Sequence, residues 1–337
     1  MLETITAGNP ERWDEIVRSM YKYDFYHLHT YHCLDQSGEA LLLYFHNETA
    51  AFAFPVIQRN IHGTAYKDIT SVYGYSGPLS QSRNPSEEDV RLFQEELKRY
   101  FDANHIVTAF ARLHPLLEEQ SLLLENWGEV KGLNLTVGID LTAPEAQQRK
   151  QYSRSLRYRV NYLKKQGVTV VKASGKKEID AFIEIYKENM DRVKAAGIYY
   201  FPAGYFYTFL NNIDSCILLA SYGNQWISGS LCTFCNGIMQ AHLNATKNDF
   251  LHLSPLKLVL DRARETGMAR GMHCLHLGGG RSGNDDSLFV FKSRFSGDRF
   301  LFKVWTYIHD REAYARLVSE KYSGKTPPSD FFPLYRA

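Results

Sequence analysis

The stretch His276-Leu277-Gly278-Gly279-Gly280-Arg281-Ser282-Gly283-Asn284-Asp285-Asp286-Ser287-Leu288-Phe289-Val290-Phe291-Lys292-Ser293-Arg294-Phe295-Ser296-Gly297 concentrates the unusual chemistry of this chain. A strand-like run ends in three glycines, a polar loop follows, and an aromatic turn then carries Lys292 and Arg294. Consecutive glycines cost backbone entropy that an ordinary turn avoids. The expected element is therefore the mouth of an active site at the end of a buried strand.

Upstream, Met272–Leu277 reads as that strand, and Ser254-Pro255 starts a helix that Gly267 ends. Before it, Cys216–Tyr222, Trp226–Cys235 and Ile238–Thr246 are apolar strands parted by Gly-Asn and Asn-Gly turns. The N-terminal half has a similar order. A helix over residues 10–20 precedes a hairpin of Gly38–Phe45 and Thr49–Arg59, and a strand from Asp68 enters the aromatic loop Tyr73-Gly74-Tyr75-Ser76-Gly77-Pro78. A helix from Ser86 to about Ala103 and a strand at Ile106–Leu113 follow. Helix, antiparallel strands, helix and strand thus occur twice, which predicts two similar α/β halves with a cleft between them.

The chain has 337 residues, of which 44% are hydrophobic, so two domains are expected, and its net charge of +2 selects no class of partner. No apolar run reaches the roughly 18 residues of a membrane span. The N-terminal Met-Leu-Glu-Thr-Ile-Thr lacks a signal-peptide pattern, so a soluble cytoplasmic protein is expected. Cys33, Cys216, Cys232, Cys235 and Cys274 suit a reducing compartment. Cys232-x-x-Cys235 lies in a strand without a second pair, and His242, His252, His273 and His276 lack ligand spacing, so no metal site is expected.

From Ala146 to Lys177 there is no Asp or Glu, but there are ten Lys or Arg residues. Tyr152, Leu156, Val160 and Leu163 repeat at helical spacing, leaving Arg154, Arg157, Arg159, Lys164 and Lys165 on other faces. One reading is a solvated helix face. The missing i,i+4 acids support another, an anionic ligand such as a phosphate or a nucleic-acid backbone.

These segments together resemble the FemAB/FemX-like family. Leu277-Gly278-Gly279-Gly280 with Ser287-Leu288-Phe289-Val290-Phe291-Lys292-Ser293-Arg294-Phe295-Ser296-Gly297 is similar to its LGGG…LFxFKxxF(G) signature. The run from Arg154 to Val168 resembles its basic R…R…KKGV helix, and Tyr186-x-x-Asn189-Met190-x-Arg192 with Tyr200-Phe201 its Y..NMxR…YF segment. Leu253-Ser254-Pro255-Leu256-Lys257-Leu258 also fits. The resemblance covers residues 140–300 well and 1–140 only in layout.

What it implies is an α/β fold with mixed sheet, built as two GNAT-like (acyl-CoA N-acyltransferase) domains in tandem. The first would span residues 1–140, with about 303–337 returning to it, and the second, with the catalytic motifs, 141–302. Family members transfer an amino acid from aminoacyl-tRNA to the peptide of a lipid-linked or nucleotide-linked peptidoglycan precursor. Two departures bear on the donor. No coiled-coil arm is inserted in the second domain, which weakens the tRNA assignment. The Q/R-x-x-G-x-G/A loop that cradles the coenzyme A pyrophosphate is missing before Pro255, which disfavours coenzyme A.

The resemblance places an active-site lysine at Lys292, where a cation would polarise the reacting carbonyl. A solvated lysine in a turn is the competing reading. No Ser-His-Asp or Cys-His motif is visible, so attack on an ester would rest on positioning and oxyanion stabilisation. Asp285, with Asp286 beside it, is the candidate to take a proton or hold the acceptor amine, or else such acids cap a helix. Gly279, Gly280, Arg281 and Ser282 are candidates to hold a phosphate or carboxylate, and Arg154, Arg157 and Arg159 an anionic donor. Tyr73, Tyr75, Tyr200 and Phe201 line an acyl or sugar pocket, or serve only packing.

The expected function is FemX-type N-acyl transfer, moving an aminoacyl group from aminoacyl-tRNA to an amine of a peptidoglycan precursor or envelope glycoconjugate. The acceptor would be small or a lipid-linked glycan or peptide, with no permanently bound cofactor, at the inner membrane face of the cytoplasm. One alternative is acyl-CoA-dependent N-acylation of an amino sugar. The other is a non-catalytic module that binds an anionic glycolipid or nucleic acid.

Overall fold

The computed structural model describes residues 1–281, 286–323, 325 and 331–337. The chain divides into two compact units, Met1–Leu133 with Leu301–Ala337, and Asn134–Phe300. Asp285 and Ser282 lie outside the described residues.

The first unit begins with β1 (Leu2–Thr6), α1 (Pro10–Ser19), α2 (His29–Cys33), β2 (Glu39–His46), β3 (Ala51–Asn60), β4 (Lys67–Thr70) and β5 (Leu79–Ser80). It continues with α3 (Glu87–Ala103), β6 (Ile106–Arg112) and the short α4 (Glu119–Leu122), after which β7 (Glu129–Asp140) crosses into the second unit. α3 starts where the sequence places it. The Ser86 side chain accepts the Asp89 N–H at 3.1 Å, and Glu87, Glu88 and Asp89 face the positive end of the helix dipole. Phe93, Leu97 and Phe101, one turn apart, bury themselves against Phe45, Phe52, Ile106 and Trp127.

The second unit contains α5 (Glu145–Gln151), α6 (Arg154–Lys165), β8 (Thr169–Lys172), α7 (Lys176–Arg192), α8 (Ala203–Asn212), β9 (Ser215–Tyr222), β10 (Gln225–Cys235) and β11 (Ile238–Thr246). Then come α9 (Leu256–Ala269), β12 (Cys274–Gly279) and α10 (Ser287–Ser293); β13 (Arg299–Ile308) returns to the first unit, which α11 (Arg311–Tyr322) and the C-terminal tail complete.

The strands of the two units repeat one plan. In the first, β2, β3 and β4 are antiparallel neighbours, β4 pairs with β6 in parallel, and β6 pairs with β13 antiparallel. In the second, β9, β10 and β11 are antiparallel neighbours, β11 pairs with β12 in parallel, and β12 pairs with β7 antiparallel. Each parallel pair is bridged by one helix, α3 or α9. This is the twofold α/β order with mixed sheets that the sequence predicts.

Two local readings are corrected. Tyr152 does not belong to the basic helix: α5 ends at Gln151 and α6 starts afresh after Ser153, whose hydroxyl accepts the Leu156 N–H at 3.2 Å. Gly267 does not end α9 but lies inside it, where an added Cβ would stand 2.6 Å from Leu141 Cδ1 and 2.9 Å from Met239 Sδ. The glycine serves close packing of helix on sheet.

α6 is fastened to α9 by apolar and polar contacts. Leu156, Val160 and Leu163 share a core with Leu258, Val259 and Ala263. The buried Asp261 accepts from Tyr152 Oη at 3.1 Å and from Lys164 Nζ at 3.3 Å, and the buried Arg264 beside it donates to Glu145 at 2.9 Å. In the first unit the fully buried Asp68 accepts from Arg59 at 2.7 Å, from Tyr335 Oη at 3.1 Å and from Arg336. Truncating one partner of such a buried pair leaves an uncompensated charge.

Candidate active site

The site is built where two parallel strands of the second unit part. β11 and β12 pair only at Ile238/Cys274, Met239/Leu275 and Gln240/His276. Beyond that rung β11 continues beside β10, whereas β12 follows β7, with Gly278 opposite Val137 and Gly279 opposite Thr136. A shift of register between His276 and Gly278 turns β12 away, and Gly278 takes φ +75°, a left-handed value that favours glycine. At the last rung the buried His276 ring is held by Gln240 Oε1 at 2.7 Å and Thr136 Oγ1 at 2.8 Å. A rigid polar apex thus sets where the strands separate.

The segment after the glycines closes onto this limb. An aromatic turn was expected around Lys292, but the structure has a helix there, α10, because Asp286 caps it and accepts the Phe289 N–H at 2.8 Å. The other Asp286 oxygen accepts the Arg281 N–H. Asp286 therefore ties strand end to helix start, and an added Cβ at Gly280 would come within 2.2 Å of its carboxylate. Phe289 and Phe295 are buried, and Phe295 packs edge-on against Tyr152 at 5.5 Å.

Lys292, in the last turn of α10, donates from Nζ to the Gly279 carbonyl at 2.7 Å. Burial of its ammonium pushes the pKa down to about 8, with Asp286 opposing the shift. A desolvated cation is thereby aimed at the backbone of the parted strand, so Lys292 is not a solvated turn residue.

A second cationic feature comes from three elements. Lys257, second residue of α9, has its pKa lowered by burial and by the charges of Arg294 and Arg159. Arg294 is anchored beside α6, its carbonyl accepting the Ser153 N–H at 2.9 Å. Among the described residues no carboxylate pairs with any of the three. Like charges beside the positive end of α9 make a favourable place for an anion. Arg159 therefore joins this group. Arg154 and Arg157 are exposed and do not take part in it.

The remaining candidates have other surroundings. Tyr200 is 41% exposed and donates to Asp191 at 3.0 Å, while Phe201 stacks on Tyr205 at 4.2 Å in a packing role. Arg192 donates to the Thr246 carbonyl at 2.9 Å, near the free end of β11. Tyr73 and Tyr75 belong to the first unit. The Tyr31 hydroxyl donates to the Tyr73 carbonyl at 2.9 Å, and Tyr75 packs against Tyr26, His114 and Phe302. Beneath them is a buried set that sequence reasoning missed: His114 Nε2 lies 3.0 Å from Asp24 Oδ2, and Gln120 bridges the His114 N–H and His27. Arg281 is exposed. Lys257 and Arg294 were also missed, although a lysine in the first turn of a helix, against the dipole, was a legible anomaly. Among the described residues, no group of three His, Cys, Asp or Glu side chains is placed to hold a metal ion.

No family model matches the sequence, and no curated protein does. Solved structures do share the fold. FemX matches with a TM-score of 0.73 at 13% identity, over 94% of this chain and 99% of that one. The C-terminal domain (DUF2156) of a putative lysylphosphatidylglycerol synthetase from Agrobacterium fabrum matches at 0.60 and 14% identity, over 94% and 96% of the two chains. L-PGS from Bacillus licheniformis matches at 0.58 and 13%, over 90% and 92%. The chain has the fold of FemX, and its two units repeat one α/β plan.

Proposed function

We propose that this protein is an N-acyltransferase that moves an aminoacyl group from aminoacyl-tRNA to an amine of a peptidoglycan precursor or related envelope glycoconjugate. The observation that carries the reading is the desolvated Lys292 ammonium held at Gly279, on the limb where β12 leaves β11. A fold shared with a protein named as a lysylphosphatidylglycerol synthetase is compatible with an aminoacyl cargo.

The acceptor amine attacks the ester carbonyl, the new C–N bond forms, and the C–O bond to the ribose breaks. Lys292 stabilises the oxyanion of the tetrahedral intermediate. The proton lost by the amine leaves on the ribose hydroxyl, and a lysine with a pKa near 8 is suited to pass it on. Arg159, Lys257 and Arg294 hold donor phosphate, in place of the glycine loop that would cradle coenzyme A. The protein works in the cytoplasm at the inner membrane face; no helix among the described residues is long and apolar enough to cross a membrane.

The test is incubation with charged tRNA or acyl-CoA and candidate amines, followed by mass spectrometry of new amides. Turnover with charged tRNA supports the reading. Turnover with acyl-CoA alone replaces the donor, and no turnover with either removes the enzymatic reading.

A further inference from the structure

α6 has a second, outward side. Arg154, Tyr158, Asn161 and Lys165 follow one another at steps of four, three and four residues, so they form one stripe opposite the buried Leu156, Val160 and Leu163. Arg154, Arg157, Tyr158 and Lys165 are exposed, Tyr158 by 69%. Within α6 the described ion pairs belong to Lys164, which reaches Asp261 and Glu265, so the charges of the stripe face solvent. The next acids in sequence are Glu145 and Glu178, outside the helix on either side.

Two polyanions fit such a face. A single-stranded nucleic acid stacks its bases on open aromatic faces. Here Tyr162 already lies against Tyr158, at 6.3 Å and 18°, and the Arg159 guanidinium sits 5.5 Å from its centroid. A bilayer surface makes no such demand. Lysine and arginine are drawn to anionic headgroups, and tyrosine settles at the level of the interface.

We propose that this stripe is a contact surface for an anionic phospholipid bilayer, with Arg154, Arg157 and Lys165 at the headgroup phosphates and Tyr158 in the interfacial layer. The assignment goes beyond acyl transfer and stands or falls separately from it. The protein would be peripheral, held by charge and released by salt. Such a surface would bring a soluble catalyst to a lipid-linked acceptor.

The test is co-sedimentation of the full chain with phosphatidylcholine vesicles containing phosphatidylglycerol, or with phosphatidylcholine alone. Binding is expected only to the anionic vesicles, weakening as salt rises. Arg154→Glu with Arg157→Glu and Lys165→Glu should lower partitioning at least about a hundredfold, with unchanged thermal unfolding. Tyr158→Ser should lower it less and with little dependence on salt. If the triple variant fails to fold, Arg154→Gln and Lys165→Gln singly replace it, each lowering partitioning severalfold. Equal binding to both vesicles, binding unchanged in these variants, or retention of a single-stranded RNA oligonucleotide with no affinity for anionic vesicles would each overturn the proposal.

Discussion

Lys292 and Gly279 are joined by a 2.7 Å hydrogen bond from ammonium to backbone carbonyl, thirteen residues apart in sequence and on opposite sides of a glycine-rich loop. One acceptor among the described residues is modest compensation for a charge withdrawn from water, so the lysine is held at an energetic cost. Lys292→Met should therefore keep or raise the thermal midpoint at pH 7 while lowering kcat about a hundredfold or more. Calorimetry and single-turnover amide formation check the two halves. A fall in stability as large as that in rate would make Lys292 a structural residue.

The pH profile follows from the same group. If the ammonium is the working form, kcat should fall as pH rises through about 8, where Lys292 loses its proton. A rate that climbs through that range would assign Lys292 the role of a neutral base. The profile of kcat under saturating acceptor distinguishes them.

Gly280 lies against the carboxylate of Asp286, the cap of α10. A methyl group at Gly280 would meet the Asp286 carboxylate, so Gly280→Ala should displace the cap of α10. About 1 kcal/mol of stability should be lost with it. Asp286→Ala should cost a similar amount and Asp286→Ser much less, because serine also caps. Urea unfolding gives the stabilities, and activity should follow the same order.

Arg159, Lys257 and Arg294 are predicted to trade stability against anion binding. Lys257→Gln removes a like charge from the dipole-positive end of α9 and should raise the thermal midpoint. The same change should weaken binding of an RNA minihelix and reduce the slope of log affinity against log salt by roughly 1. Fluorescence anisotropy at several salt concentrations measures that slope. An unchanged slope would detach the trio from the donor.

His27 and His32 predict acid sensitivity of the first unit. Both are fully buried, and desolvation lowers His32 to about 4 and His27 well below its usual value. The folded state keeps both neutral while the unfolded chain takes up protons near pH 6.5. Their contribution is intact above that pH and lost as pH falls toward about 4. The thermal midpoint should thus drop between pH 7 and 5, and His32→Phe should flatten the decline.

The repeated order of elements was legible because it rests on local signals: the Ser86 cap, the Asn236-Gly237 turn and the i,i+4 apolar rows of α3. α10 was not, since a seven-residue run with two serines, two phenylalanines and a valine is too short and too poor in helix formers to be stable alone. It forms because Asp286 caps it and Phe289 is buried, which are tertiary facts. Tyr152 misled by periodicity, as it occupies a helical position in register although the chain turns there. The cationic trio joins residues 159, 257 and 294, and no window of sequence contains all three. The parting of β11 and β12 likewise depends on register between strands separated by a helix.

The Asp68 carboxylate has one further implication, for biosynthesis. Arg59 is made just before it, but Tyr335 and Arg336 follow it by 267 and 268 residues, and β13, which pairs with β6, is also made late. The unit begun first is therefore completed only after all of the second has been made. Until then a carboxylate destined for the interior waits with two of these three partners missing, whereas every strand of the second unit is already available.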